Sequence, residues 1–177
     1  MHSSCVEVEI AHKEKDSLVK NIGGRWGVVA ALHIGPARKE PMLSVPEVRA
    51  IAGAGLENDR YCRERGTFSK KLPTNQITLI EAEALEAAAR DYGIEITAAE
   101  SRRNVLTCGV ALNHLIGREF QIGDVRLRGL KLCEPCTHLQ QLTGKPMIKT
   151  LLHRGGLRAE ILSGGNIRVG DRITEAS

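Results

Sequence analysis

The sequence predicts a mainly β domain, closed into a β-barrel-like or strongly coiled sheet with a few short helices packed at its ends. Three observations point there. Short apolar and β-branched runs recur along the chain, and only one stretch has the length and composition of a full helix. The 18 glycines, several of them paired, fall between the runs where tight turns belong. A doubly wound parallel sheet would require a helical crossover after nearly every strand, and such regular crossovers are not seen.

Each element follows in order. Arg25 to Ile34 is a run of small and branched apolar residues closed by Gly35-Pro36, which reads as a buried strand. Ala37 to Pro46 contains prolines and charges and reads as a loop. Glu47 to Ile51 is a short strand, and Gly53-Ala54-Gly55 turns into Leu56-Glu57-Asn58-Asp59-Arg60-Tyr61. Gln76 to Ile80 alternates and is β-branched, a strand feeding Glu81 to Tyr92. That segment's Ala, Leu and Glu content and the Gly93 that follows predict the main helix and its C-cap. Asn104 to Cys108 is a further strand. Phe120 to Leu127 and Ile167 to Ile173 each set Gly-Asp between alternating apolar residues, as turns or bulges between barrel strands do. Thr137 to Leu142 and Pro146 to His153 read as short helices, stopped by Gly144 and by Gly155-Gly156, and Leu157 to Leu162 returns to strand alternation.

At 177 residues the chain suits one globular domain, taken as 25–177 with residues 1–24 as an added arm. No apolar run approaches the roughly 20 residues that span a bilayer. The N-terminus mixes charges among its apolar residues, so no secretory signal is expected and a cytoplasmic protein is. A formal charge of +4 and 3% aromatic residues fit neither a polyanion-coating surface nor a base-stacking platform, so no nucleic-acid partner is expected. Arginine outnumbers lysine 16 to 9. Its planar fork suits a compact phosphate or carboxylate, although most arginines are ordinarily solvated surface charges.

Five cysteines, at 5, 62, 108, 133 and 136, make an odd number, so a disulfide framework is not expected. The chemically loudest segment is Leu132-Cys133-Glu134-Pro135-Cys136-Thr137-His138, running from a strand into a helix start. Cys136 falls at or beside the N-cap, where unpaired N–H groups and the helix dipole favour a thiolate, and His138 and Lys131 add positive charge. The pair reads as half a zinc site, as a thioredoxin-like redox pair, or as two ordinary buried cysteines. Zinc lacks a second Cys-x-x-Cys pair, and the redox reading lacks the expected alternation of helices and parallel strands around it.

Other polar groups are candidate ligands. Arg102-Arg103-Asn104, on a loop before a strand, can converge two forks and an amide on one phosphate, unless one arginine faces solvent. Arg158 follows Gly155-Gly156, whose N–H groups can form an anion nest. Asp59-Arg60 reads either as a charge pair at the barrel mouth near the thiol or as a turn ion pair. His33 reads as a satisfied core or rim histidine.

Taken together, Gly55 to Tyr61, Arg102-Arg103-Asn104-Val105, Leu112 to Arg118, Ile122-Gly123-Asp124, Cys133-Glu134-Pro135-Cys136, Arg154-Gly155-Gly156-Leu157-Arg158 and Val169-Gly170-Asp171 resemble, in order and spacing, the MOSC domain family, named for the C-terminal domain of molybdenum cofactor sulfurase. The resemblance runs from about Gly27 to Ile173. It implies a barrel of the pyruvate-kinase-barrel type and a sulfur-carrier cysteine, here Cys136, for metal-sulfur cofactor assembly. Cys133 would be the resolving or supporting thiol, His138 would assist, and Cys136 would serve as metal ligand if a metal is held. It also implies binding of the molybdenum cofactor, a pterin bearing a phosphate, which suits Arg102, Arg103, Asn104, Arg158, Asp59 and Arg60. The aminotransferase-like domain that uses pyridoxal phosphate to free sulfur from cysteine has no counterpart in this sequence. Sulfur would then come from a separate donor such as a cysteine desulfurase, and pass to a metal-sulfur cofactor or a molybdoenzyme, or the chain would act on the cofactor directly. A thiol-disulfide oxidoreductase using Cys133 and Cys136, and a non-catalytic anion-binding module, are the competing readings.

Overall fold

Side-chain alternation decides which face of each strand enters the core, and the sheet that results curls around it. A computed structural model describes residues 27–63 and 72–176. The expected arm, residues 1–24, lies outside the described residues, as do Cys5 and the first two residues of the run that opens at Arg25. Among the described residues there are eleven strands: β1 (Val28–Ile34), β2 (Leu43–Val45), β3 (Glu47–Ile51), β4 (Gly55–Leu56), β5 (Ile77–Glu81), β6 (Val105–Cys108), β7 (Glu119–Ile122), β8 (Val125–Leu132), β9 (Leu157–Ile161), β10 (Gly165–Arg168) and β11 (Ile173–Glu175). The described residues also form four α-helices: α1 (Ala82–Tyr92), α2 (Ala98–Ser101), α3 (Thr137–Thr143) and α4 (Met147–Leu151).

Eight strands form one sheet in the order β11-β7-β8-β9-β5-β6-β1-β2, and β10-β3-β4 form a small second sheet. The large sheet nearly closes on itself. Val29 N–H donates to the Asp171 carbonyl (2.9 Å), Gly170 N–H to the Val29 carbonyl (2.8 Å) and Ile173 N–H to the Gly27 carbonyl (2.8 Å), joining β1 to the chain entering β11. Along β8, Val125 and Leu127 point inward and Arg126 and Arg128 outward. Matching inward positions on β5, β7 and β9 complete a core that includes Leu32, Leu79, Phe120, Ile122, Leu157 and Ile161. The two Gly-Asp pairs occupy the turns expected of them, Gly123-Asp124 between β7 and β8 and Gly170-Asp171 ahead of β11.

Strand β5 is buried on both faces, so its sequence Ile-Thr-Leu-Ile is apolar nearly throughout. Ile77 and Leu79 enter the barrel core, while Ile80 faces a second cluster with Leu85 and Ala88 of α1, Leu139 of α3, and Met147 and Leu151 of α4. β5 and β6 are parallel, and the crossover that parallel pairing demands carries α1 and α2. Gly93 caps α1 in the left-handed conformation (φ 65°), as its sequence position predicts. Two expectations change. Residues 37–46 were expected as loop, yet Leu43–Val45 forms β2, an exposed edge strand paired with β1. His33 is buried as expected, but its Nδ1 has no hydrogen-bond partner among the described residues, so the ring is not fully satisfied; burial holds its pKa below the ordinary value.

Candidate functional site

The Cys-x-Pro-Cys segment leaves the end of β8 and enters α3. Cys136 is the N-cap of α3, in extended conformation (φ −133°, ψ 165°), with its side chain making no capping bond and exposed to solvent. Cys133 is buried, and its backbone holds the loop: Cys133 N–H donates to the Gly156 carbonyl (2.7 Å). Arg103 strengthens this seam by donating from Nη2 to the Cys133 carbonyl (2.7 Å) and from Nε to the Gly155 carbonyl (2.9 Å), while Nη1 reaches the Ser101 carbonyl (2.9 Å). Gly155 must be small because a Cβ there would lie 2.6 Å from the Cys133 carbonyl oxygen. Glu134 ties the same two segments from outside: its Oε2 accepts from the His153 N–H (2.9 Å), and its Oε1 lies 3.0 Å from His153 Nδ1. The thiol loop is therefore fixed to residues 153–156 at several points.

Around Cys136 the fold assembles a narrow cleft of about 60 Å³, walled by Arg38, Arg60, Arg102, Arg103 and Arg158, with Tyr61, Thr78, Cys133, Glu134, His138, Leu139 and Leu142. Glu134 is the one carboxylate in this wall, and it is engaged with His153. Arg60 is buried, with Nη1 donating to Met42 Sδ (3.0 Å) and Nη2 to the Arg102 carbonyl (3.4 Å), and its guanidinium lies over the Tyr61 ring. Arg102 is half-buried, and its Nη1 donates to the Glu40 carbonyl (2.7 Å). Burial and the neighbouring Arg60 charge hold the Arg102 guanidinium below its ordinary pKa. Like charges crowded in a partly desolvated cleft favour an anion between them. Arg158, on β9, spends Nη1 on the Thr74 carbonyl (3.0 Å) and Asn75 Oδ1 (3.3 Å).

Of the residues singled out in the sequence, Cys133, Cys136, His138, Arg60, Arg102, Arg103 and Arg158 thus share one cleft. Asp59 and Asn104 lie beneath it. The Asp59 carboxylate accepts from Gly35 N–H (2.8 Å), Tyr61 N–H (3.0 Å) and Asn104 Nδ2 (3.1 Å), and stands 3.7 Å from Arg60 Nη1. The Asn104 side chain also accepts from Thr78 Oγ1 (2.8 Å) and donates to the His33 carbonyl (3.2 Å). These two buried groups lock the segments that present Arg60, Tyr61 and Thr78, so their part is positioning. Arg38, Tyr61, Thr78, Leu139 and Leu142 were not among the candidate residues. Arg38 sits in a Pro- and charge-containing loop with no local pattern that distinguishes it, and Thr78 reads as ordinary strand alternation.

The cleft can hold a compact anion at its arginines beside an exposed thiol. Cys136 offers a single thiolate ligand, and among the described residues no group of three or more His, Cys, Asp or Glu could hold a metal ion. A metal would have to arrive with its remaining ligands on a cofactor. The barrel is not a parallel sheet covered by helices, so the surroundings expected of a thioredoxin-like pair are not those found. No helix among the described residues is long and apolar enough to cross a membrane.

The architecture matches solved structures along most of the chain. The YuaD protein from Bacillus subtilis superposes with a TM-score of 0.70 at 18% identity, over 86% of this chain and 97% of that one. YiiM from Geobacillus stearothermophilus gives 0.65 at 14% identity (85% and 75% covered), and YiiM from Escherichia coli gives 0.63 at 16% (87% and 70%). At these identities the likeness establishes the fold. No curated protein sequence matches the chain. The model of the MOSC domain matches residues 54–174, a span that runs from the turn before Asp59 through the thiol loop to the last strand, and the chain therefore belongs to the MOSC domain family.

Proposed function

We propose that this MOSC-domain protein binds the phosphate-bearing pterin of a molybdenum cofactor, or a related metal-sulfur cofactor, and carries sulfur on Cys136. The observation that carries the reading is the meeting of one exposed thiol with five arginine side chains in a single cleft. Arginine forks fit phosphate oxygens in pairs, and holding the acceptor still is what a group-transfer site must do. Bound there, the cofactor would supply the metal chemistry. Arg60, Arg102 and Arg158 would hold its phosphate, and Arg103 would keep the thiol loop in register.

Loading follows from thiol chemistry. The Cys136 thiolate attacks the terminal sulfur of a persulfide on a separate donor, such as a cysteine desulfurase. A new S–S bond forms on Cys136, the donor's S–S bond breaks, and the donor leaves as a thiolate with no net change in electrons. Cys133, buried and clamped through its backbone, supports the loop in this scheme. In this scheme His138, on the first turn of α3 and in the cleft wall, would donate a proton to the departing thiolate. The sulfur acceptor would be a metal-sulfur cofactor or a molybdoenzyme that brings one.

Incubation with a cysteine desulfurase and cysteine, followed by mass spectrometry, tests the carrier role. A gain of one sulfur mapped to Cys136, reversed by dithiothreitol and absent in Cys136→Ser, is expected. A loss of two hydrogens across Cys133 and Cys136 without sulfur gain would replace this reading with a thiol-disulfide oxidoreductase.

A further inference from the structure

When Cys136 is loaded from a protein persulfide, the donor departs as a thiolate on its own chain, and the arginines beside the thiol have no task in that step. Yet these arginines have unused capacity. Arg60 is only 6% exposed, and its acceptors are poor or distant: the Met42 thioether at 3.0 Å, the Arg102 carbonyl at 3.4 Å and the Asp59 carboxylate at 3.7 Å. A buried guanidinium served so thinly gains from any strong acceptor that reaches it. Arg38 stands exposed on the same wall and forms no hydrogen bond or ion pair with the described residues. Glu134, the carboxylate of that wall, is held by His153 through its N–H (2.9 Å) and ring Nδ1 (3.0 Å). The positive charge around the exposed Cys136 thiol is therefore poorly neutralised by the protein itself.

We infer that this cleft also takes thiosulfate, a compact dianion with a transferable outer sulfur, and that thiosulfate loads Cys136 without a protein donor. The inference rests on Cys136 as the sulfur carrier and adds a small-molecule donor for it. The Cys136 thiolate attacks the outer sulfur of thiosulfate. A new S–S bond forms on Cys136, the S–S bond of thiosulfate breaks, and its electron pair leaves with sulfite, so that thiolate and thiosulfate become a persulfide anion and sulfite with charge and electrons conserved. The sulfonate group bears a single formal negative charge in thiosulfate and a double one in the departing sulfite, so charge grows on its oxygens as the bond breaks. Guanidinium groups at those oxygens hold the leaving group more strongly than the substrate, which is the condition for speeding the step. They also offset the repulsion between two anions that must meet. A phosphate-bearing acceptor would use the same arginines, so sulfite leaves before the acceptor binds.

The test incubates the full chain with thiosulfate alone and, separately, with a cysteine desulfurase and cysteine. Thiosulfate is expected to add one sulfur at Cys136, read by peptide mass spectrometry, with an equal amount of sulfite released, and to add none in Cys136→Ser. With cyanide as acceptor, thiocyanate should form in steady state with parallel double-reciprocal plots, and inorganic phosphate should compete with thiosulfate. Arg38→Ala, a change at an exposed position, and Arg158→Ala should each lower kcat/KM for thiosulfate about tenfold, the worth of a hydrogen bond to a charged group. Loading from the desulfurase but not from thiosulfate would overturn the small-molecule donor and leave the carrier reading standing; loading from neither would overturn the carrier reading as well. Sulfur on a cysteine other than Cys136, or kcat/KM unchanged in both arginine variants, would overturn the arginine-held donor site. Intersecting plots, or no competition from phosphate, would overturn the use of the same arginines by donor and acceptor in turn.

Discussion

Cys136 differs from Cys62, Cys108 and Cys133 in being exposed, and reactivity should follow exposure. Brief alkylation at neutral pH with peptide mapping is expected to label Cys136 first among these four; faster labelling of Cys133 would contradict the arrangement of the loop. Arg158→Ala should cost ~1.5 to 3 kcal/mol of phosphate affinity, the worth of a hydrogen bond to a charged group, as read by calorimetry. Glu81 carries a different kind of prediction. Burial pushes its pKa above the ordinary 4.5, with Glu83 adding to the shift and the Leu112 N–H bond opposing it. A carboxyl whose folded-state value is raised contributes stability that is complete below about pH 4.5 and is lost as pH climbs through the folded-state value. Glu81→Gln keeps an acceptor for Leu112 but cannot ionise. Its Tm should therefore gain on wild type between pH 4 and pH 7; a variant that falls behind over that range would show the sign to be wrong. None of this residue-level detail is legible in the chain itself, where Glu81 is simply the first residue of a helix-forming run. The prominence of Cys136, by contrast, could be read directly from Cys-Glu-Pro-Cys ahead of a helix pattern.

The strands and helices were mostly legible because each carries a local signal: alternation in β8 and β9, glycine after α1 and α3, and Gly-Asp at two turns. β2 was not, since Leu43 to Val45 is flanked by prolines and largely exposed, and its strand character comes from backbone pairing with β1. The small β10-β3-β4 sheet was equally hidden, because β3 and β10 lie far apart in sequence and only the folded chain brings them together. At α2 the sequence and the site pull against each other. Thr97 and Glu100 form a capping box, and the helix ends at Arg102 in the left-handed region (φ 58°), where a residue with a Cβ carries strain of about 1 kcal/mol or more. Arg102→Gly should therefore be about 1 kcal/mol more stable than Arg102→Ala in urea unfolding, while both lose anion affinity. Equal stabilities would mean that the loop relaxes around the side chain. Gly156→Ala is expected to be far more damaging. The residue has φ 99°, and a Cβ there would collide with the Leu79 carbonyl of β5, so a loss of at least ~2 kcal/mol and a displaced thiol loop should appear together.

Across the whole molecule, the site draws its arginines from the loop after β1, the turn after β4, the end of the β5–β6 crossover and strand β9, so no single stretch of sequence contains it. What the chain does reveal is the order of these pieces; their convergence depends on the curl of the sheet. The two cores on either side of β5 have the same origin, with α1, α3 and α4 covering the face that the barrel leaves outside. The join between β1 and the chain entering β11 has a further consequence during synthesis. Val29 is among the first described residues to be made, yet its partners Gly170 and Asp171 are among the last. Until those residues leave the ribosome, the nascent polypeptide holds the start of β1, ahead of its pairing with β2, as an open edge able to pair with a neighbouring chain. A version ended at Ser163 should therefore accumulate as aggregates instead of monomers in size-exclusion chromatography, and supplying residues 164–177 as a separate peptide should restore part of the monomer. For this barrel, the time spent waiting for its final segment sets the interval in which it is most exposed to misassembly.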